Sequence, residues 1–149
     1  MISIDHKDFL ETSIKEFVIP SEKIAHVQPG NTIEHALLLL TKSGYSAIPV
    51  LDMDYRLKGL ISTQMITDSI LGLEKIEFER LDEKRVDEVM EKDIPHLKMT
   101  DQFQYALNLL VDHPFLCVMG KDGYFQGIMT RRVMLKQLQR HIHMQIQRT

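Results

Sequence analysis

The sequence predicts an α/β (α+β) fold of two β-α-β-β-α repeats packed sheet to sheet, and three observations carry that prediction. The first is recurrence at a fixed offset. Ile24-Ala25-His26-Val27 returns seventy positions later as Ile94-Pro95-His96-Leu97, and Ala36-Leu37 with Leu40 returns as Ala106-Leu107 with Leu110. The second is a shared ending. Leu57-Lys58-Gly59-Leu60-Ile61-Ser62 returns as Phe125-Gln126-Gly127-Ile128-Met129-Thr130, now sixty-eight positions on, so the second copy is two residues shorter between Leu110 and Phe115. The third is size and composition: 149 residues, 44% hydrophobic and 26% charged, are apolar enough for a core.

Each element follows from local chemistry. Ile24 to Val27 is a short apolar stretch closed by Pro29-Gly30, hence a brief extended segment. Asn31 or Thr32 can cap a helix whose acidic first turn holds Glu34, whose apolar face is Ile33, Ala36, Leu37 and Leu40, and whose stop is Gly44. Ala47 to Leu51 reads as a buried strand, Asp52-Met53-Asp54 as a turn, Tyr55 to Ser62 as a second strand and Gln64 to Leu73 as a helix. The second copy repeats the order: helix Asp101 to Val111, strand Phe115 to Met119, turn Lys121-Asp122-Gly123, strand Tyr124 to Thr130, and helix from Arg131 onward. Ile14, Phe17 and Val18 open the first copy with a helical turn, as Val86, Val89 and Met90 open the second. The expected layout is an N-terminal segment (1–13), a first domain (14–73), a charged linker (74–85), a second domain (86–140) and a tail (141–149). One copy alone, at roughly 60 residues, buries too little surface to be secure.

Net charge is −3 and the pI about 6.1, which argues against sequence-independent DNA binding. The one cysteine, Cys117, allows no intrachain disulfide, so a reducing compartment is the simplest setting. The longest aliphatic run, Ala36 to Leu40, is far short of the ~20 residues that span a bilayer, and residues 1–8 lack a signal peptide's apolar stretch. A cytoplasmic protein with no membrane role is expected.

With both copies in register, the chain resembles a tandem pair of CBS domains, the Bateman module, over about residues 14 to 140. The carriers are Tyr45-Ser46-Ala47-Ile48-Pro49-Val50 and the paired endings Gly59-Leu60-Ile61-Ser62 and Gly127-Ile128-Met129-Thr130. With Lys23, Ala25, Tyr45 and Arg131-Arg132, it is similar to the stand-alone cyclic di-AMP-binding CBS proteins of Gram-positive bacteria.

The resemblance implies two nucleotide clefts related by a pseudo-two-fold axis, each mixing copies. The first combines Lys23, Ala25, Tyr45, Ser46 and Ala47 with Ile128, Thr130, Arg131 and Arg132. Its chemistry suits a nucleotide: Ala25 and Ala47 let a flat base approach the backbone, and Tyr45 offers a stacking face. Thr130 precedes a helix N-terminus that favours an anion, and Arg131, Arg132 and Lys23 bring three charges. The second combines Asp93, Pro95, Pro114, Phe115 and Leu116 with Ser62, Gln64 and Met65, and has no cation. The family pattern also places an Asp three residues after the Ser or Thr, to hold a ribose diol. Met65 and Val133 stand there. AMP, ADP or ATP would lose a principal contact; a cyclic dinucleotide, with its 3′ oxygens esterified, loses little. The ligand expected is therefore cyclic di-AMP, the alternative an AMP/ADP/ATP-sensing module.

Plainer readings stand beside these. Arg131-Arg132 could be a solvated helix start, Tyr45 a packing aromatic, Ala25 and Ala47 small core residues, and Cys117 a buried inert thiol. His141 and His143, two apart on a helix, do not share a face as metal ligands would. From Gly127 to Thr149 no acid occurs, while Arg131, Arg132, Lys136, Arg140 and Arg148 are basic; packing on the pair or at a dimer contact is the more ordinary reading, beside a membrane-surface helix or attraction of an acidic partner or RNA. No catalytic grouping, cofactor or metal motif is visible, so no enzyme is expected. The resemblance implies a non-catalytic receptor, a homodimer, and a regulated protein partner such as a (p)ppGpp synthetase/hydrolase or another metabolic enzyme.

Overall fold

The computed structural model describes residues 5–147; residues 1–4 and 148–149, Arg148 among them, lie outside the described residues. In chain order the helices are α1 (His6–Leu10), α2 (Ile33–Ser43), α3 (Thr63–Ser69), α4 (Val86–Val89), α5 (Phe103–Leu110) and α6 (Arg131–Ile146). The strands are β1 (Ile19–Pro20), β2 (Ala47–Leu51), β3 (Leu57–Ser62), β4 (His96–Leu97), β5 (Phe115–Met119) and β6 (Phe125–Thr130). Among the described residues the chain forms two compact units: one spans Ile24–Ile94 with Lys121–Phe125, and the other holds residues 5–23, Pro95–Gly120 and residues 126–147.

In the first unit, β2 and β3 pair antiparallel from Ala47↔Ser62 to Leu51↔Leu57, and Val27 bridges Val50 in parallel. All of β2 is buried, as its unbroken apolar run requires. The Thr32 hydroxyl accepts from His35 N–H at 3.2 Å to cap α2, and Gly44 ends it at φ 77° with its N–H on Leu40 O. Ile33, Ala36 and Leu40 from α2 pack with Ile48, Val50, Ile61, Ile66 and Val86 into one core.

In the second unit the sheet order is β1-β6-β5-β4, with β1 antiparallel to β6 and β4 parallel to β5. Ile14, Leu97, Phe103, Ala106, Leu110, Leu116, Val118, Met129 and Met134 form its core. Leu97↔Val118 here matches Val27↔Val50 in the first unit, at the offsets of seventy and sixty-eight read from the sequence.

The mixed α/β architecture is the one expected, but several boundaries differ. The helix expected over Gln64 to Leu73 spans Thr63–Ser69, because Gly72 N–H bonds Lys75 O in a turn that pairs Leu71 with Ile76. The strand expected from Tyr55 starts at Leu57, since Tyr55 sits at φ 65°, as does its equivalent Gly123 at φ 81°. The Asp101–Val111 helix is shortened to α5, behind Gln102 as N-cap. The charged 74–85 segment contains a 3₁₀ turn over Phe78–Asp82 and packs Leu81 against the first core. Helix α6 continues unbroken past 140, to Ile146. No helix among the described residues is long and apolar enough to cross a membrane.

Candidate functional site

The second unit holds Lys23, Ile128, Thr130, Arg131 and Arg132; the first holds Ala25, Tyr45, Ser46 and Ala47. Strand β6 delivers Ile128, buried in the sheet, and ends at Thr130, whose hydroxyl accepts from Val133 N–H at 3.1 Å to cap α6. Arg131 N–H donates to Pro114 O at 2.9 Å. In the first unit the same frame recurs sixty-eight positions earlier: Ser62 caps α3 through Met65 N–H at 3.0 Å, and Thr63 N–H donates to Ser46 O at 3.0 Å. The two helix starts are therefore built alike, and they differ in charge.

Arg131 and Arg132 do different things. The Arg131 guanidinium donates from Nε to Leu110 O at 2.8 Å and from Nη2 to Val111 O at 3.3 Å, closing the C-terminal end of α5. Arg132 is exposed, and no hydrogen bond or ion pair engages its side chain among the described residues. A free cation in the first turn opposes the helix macrodipole, a conflict that a bound anion relieves. Sequence reasoning missed the use of Arg131; its one signal was the two-residue shortening before Phe115.

Lys23 is exposed at the end of the 3₁₀ turn Ser21–Lys23 that follows β1. Because Ile19 pairs with Ile128 and Pro20 with Gly127, the chain leaves this pairing toward Lys23 at the Gly127 end and toward Arg132 at the Thr130 end. Strand register alone does not bring the two cations together. Tyr45 is 40% exposed and Ser46 exposed, while Ala25 is half-buried and Ala47 buried at the start of β2. Tyr45 stands two residues before β2, and Ala47 opens that strand.

For the second candidate set, Asp93, Pro95, Pro114 and Gln64 are exposed, Ser62, Met65 and Phe115 half-buried and Leu116 buried. The α3 helix start presents Thr63 and Gln64 where α6 presents arginines. Among the described residues no group of three His, Cys, Asp or Glu side chains could hold a metal ion. His141 Nε2 lies 2.8 Å from His6 Nδ1, and His143 bonds Gln147. Burial, then the nearby His6, pushes the His141 imidazole below its ordinary 6.5. The Cys117 thiol, 2% exposed, is pushed up to about 12 by burial, and so is an inert core group. The Asp52 carboxylate accepts from Arg56 N–H and Asp54 N–H, each at 2.9 Å, which together with nearby Lys58 holds it below the usual range; it shapes a turn.

Residues 14–72 match the CBS domain family model. The chain is 52% identical over 142 residues to Cyclic di-AMP receptor B of Bacillus subtilis (strain 168), covering 95% of this chain and 97% of that one. A crystal structure of a CBS domain-containing protein of unknown function from Bacillus anthracis superposes with a TM-score of 0.86 at 59% identity, covering 91% and 99% of the two chains. The crystal structure of the CbpB protein of Listeria monocytogenes in complex with c-di-AMP superposes with a TM-score of 0.81 at 56% identity, covering 87% and 96%.

Proposed function

Because this chain belongs to the CBS-domain family that includes cyclic di-AMP receptor B, we propose that it is a non-catalytic receptor whose occupancy by cyclic di-AMP controls its binding to a protein partner. The observation that carries the reading is the chemical difference between two helix starts of the same construction. Both are capped by a hydroxyl and tied to a loop carbonyl, but only α6 offers an exposed, unengaged guanidinium, that of Arg132. A bridging phosphodiester needs such a donor, because it carries charge with no compensating group of its own.

The proposed contact set is Lys23, Ala25, Tyr45, Ser46, Ala47, Ile128, Thr130, Arg131 and Arg132. Arg132 supplies the principal phosphate contact; Arg131, with two N–H groups committed to carbonyls, has three left and serves mainly to hold the helix start. Lys23 adds charge, Tyr45 a stacking face, and the two alanines clearance for adenine. Val133 and Met65 offer no carboxylate for a ribose diol, which supports a cyclic dinucleotide over AMP or ATP.

A ligand shifts partner binding only through differential affinity for the two states. Competition at the rim around Arg132 is the simplest such coupling. The partner class proposed is a (p)ppGpp synthetase/hydrolase or other metabolic enzyme, bound by a cytoplasmic homodimer of this chain when the nucleotide is absent.

Isothermal calorimetry with cyclic di-AMP, cyclic di-GMP, AMP and ATP tests the reading. Cyclic di-AMP is expected to bind tightest. Arg132→Met is expected to weaken it by about tenfold to a hundredfold, the worth of charge-assisted hydrogen bonds of ~1.5–3 kcal/mol, while Gln64→Ala leaves it unchanged. Tighter binding of AMP, or equal effects of the two substitutions, would overturn the assignment.

A further inference from the structure

We infer that the second unit carries a separate site for an aromatic monoanion, in a cavity of about 500 Å³ between the segment from α1 through the 3₁₀ turn Ile14–Phe17 and the C-terminal half of α6. That volume lies within the range of small-molecule sites. Phe9, Phe17 and Met144 supply its apolar wall. Phe9 and Phe17 each meet the core ring of Phe103 edge-on, at 4.7 and 5.8 Å, so the wall is anchored by the core.

The polar groups at this cavity divide into committed and free. The Thr12 hydroxyl donates to Phe9 O and the Ser13 hydroxyl to Met99 O, both at 2.6 Å. His141 is engaged by His6, and burial, then the nearby His6, favours its neutral form. Lys15, Glu16 and Arg140 also line the cavity, and none forms an ion pair among the described residues. Two cations and one carboxylate leave a single positive charge beside a flat apolar wall. That balance suits one carboxylate or sulfonate on an aromatic ring. A doubly charged cyclic dinucleotide would be over-charged there and would meet the repulsion of Glu16.

The probe is 1-naphthoate, added to the full chain and followed by calorimetry and by amide NMR shifts. Binding is expected with shifts centred on Phe9, Phe17 and Arg140, and the uncharged naphthalene-1-methanol is expected to bind about tenfold more weakly. Arg140→Gln is expected to weaken naphthoate by about tenfold and leave cyclic di-AMP binding unchanged; Glu16→Gln is expected to tighten it severalfold. Both are exposed positions whose replacement spares the core. No naphthoate binding up to a Kd of about 1 mM, equal affinity in Arg140→Gln, or displacement by cyclic di-AMP would overturn the inference. It does not depend on the nucleotide reading, which is tested through Arg132.

Discussion

Replacing Gly127 with alanine probes the contact that ties β1 to the second unit. A Cβ built at Gly127 meets Ile19 O at 2.1 Å and Val18 Cγ1 at 2.8 Å, and the backbone there has a φ of +151° that side-chain-bearing residues rarely adopt. An ordinary carbon–oxygen approach is about 3.3 Å, so β1 must retreat by roughly 1.2 Å, more than its hydrogen bonds tolerate. Losing about two backbone bonds at ~0.5–1.5 kcal/mol each, with ~1–3 kcal/mol of backbone strain, gives a destabilisation of roughly 2–6 kcal/mol. At ~2–4 °C per kcal/mol for a chain of this size, the melting temperature should fall by roughly 4–24 °C in a calorimetric scan. Gly30→Ala is the control, because nothing lies within 4 Å of its Cβ position and its φ is unremarkable. Lys23 follows β1 directly, so cyclic di-AMP affinity should fall with the melting temperature in the Gly127 variant alone. A Gly127→Ala protein that melts within 1 °C of the parent would refute the packing argument.

Three further outcomes are expected. Arg131→Ala should lower stability by about 1–2 kcal/mol through loss of the Leu110 and Val111 carbonyl bonds, whereas Arg132→Ala should melt like the parent; thermal unfolding monitored by circular dichroism separates them. Cys117, with a thiol held near 12, should resist an aromatic disulfide reagent at pH 8 in the native protein and react at once in urea. His141 binds its proton less readily folded than unfolded, so stability should be full above its ordinary 6.5 and decline as pH falls through the window below it. An imidazole titration by NMR should show the His141 value rising in His6→Ala, and an unchanged value would remove the coupling.

Much of the fold was legible because its signals are local. Thr32, Ser62 and Thr130 each cap the helix that follows within three residues, and Gly44 stops α2 one residue past its end. Tyr55 was not legible: its left-handed backbone is held by the Asp52 turn and by pairing of Arg56 with Tyr124, almost seventy residues away. Gly59 and Gly127 stood out as a repeated mark, but their reason is a passing chain. Glu91 O lies 2.4 Å from a Cβ at Gly59, as Ile19 O lies 2.1 Å from one at Gly127. Of the candidate site, the residue identities were readable from the repeat. How they are spent was not, since the carbonyls that occupy Arg131 lie twenty and twenty-one residues upstream.

The two-residue deletion explains that expenditure. In the first copy α2 ends on Gly44, whose N–H and the Ser43 hydroxyl both reach Leu40 O, so the helix closes itself. The second copy is cut short at this point, and Val111, still in right-handed helical backbone, stands as C-cap where no glycine is available. Leu110 O, the equivalent of Leu40 O, then has to find a donor from elsewhere in the chain. Thr63, at the matching position of the first copy, has neither the length nor the need; Arg131 has both. The adjacent arginines therefore answer two separate demands, one set by a shortened loop and one left open toward solvent, and it is the second that a phosphate can use.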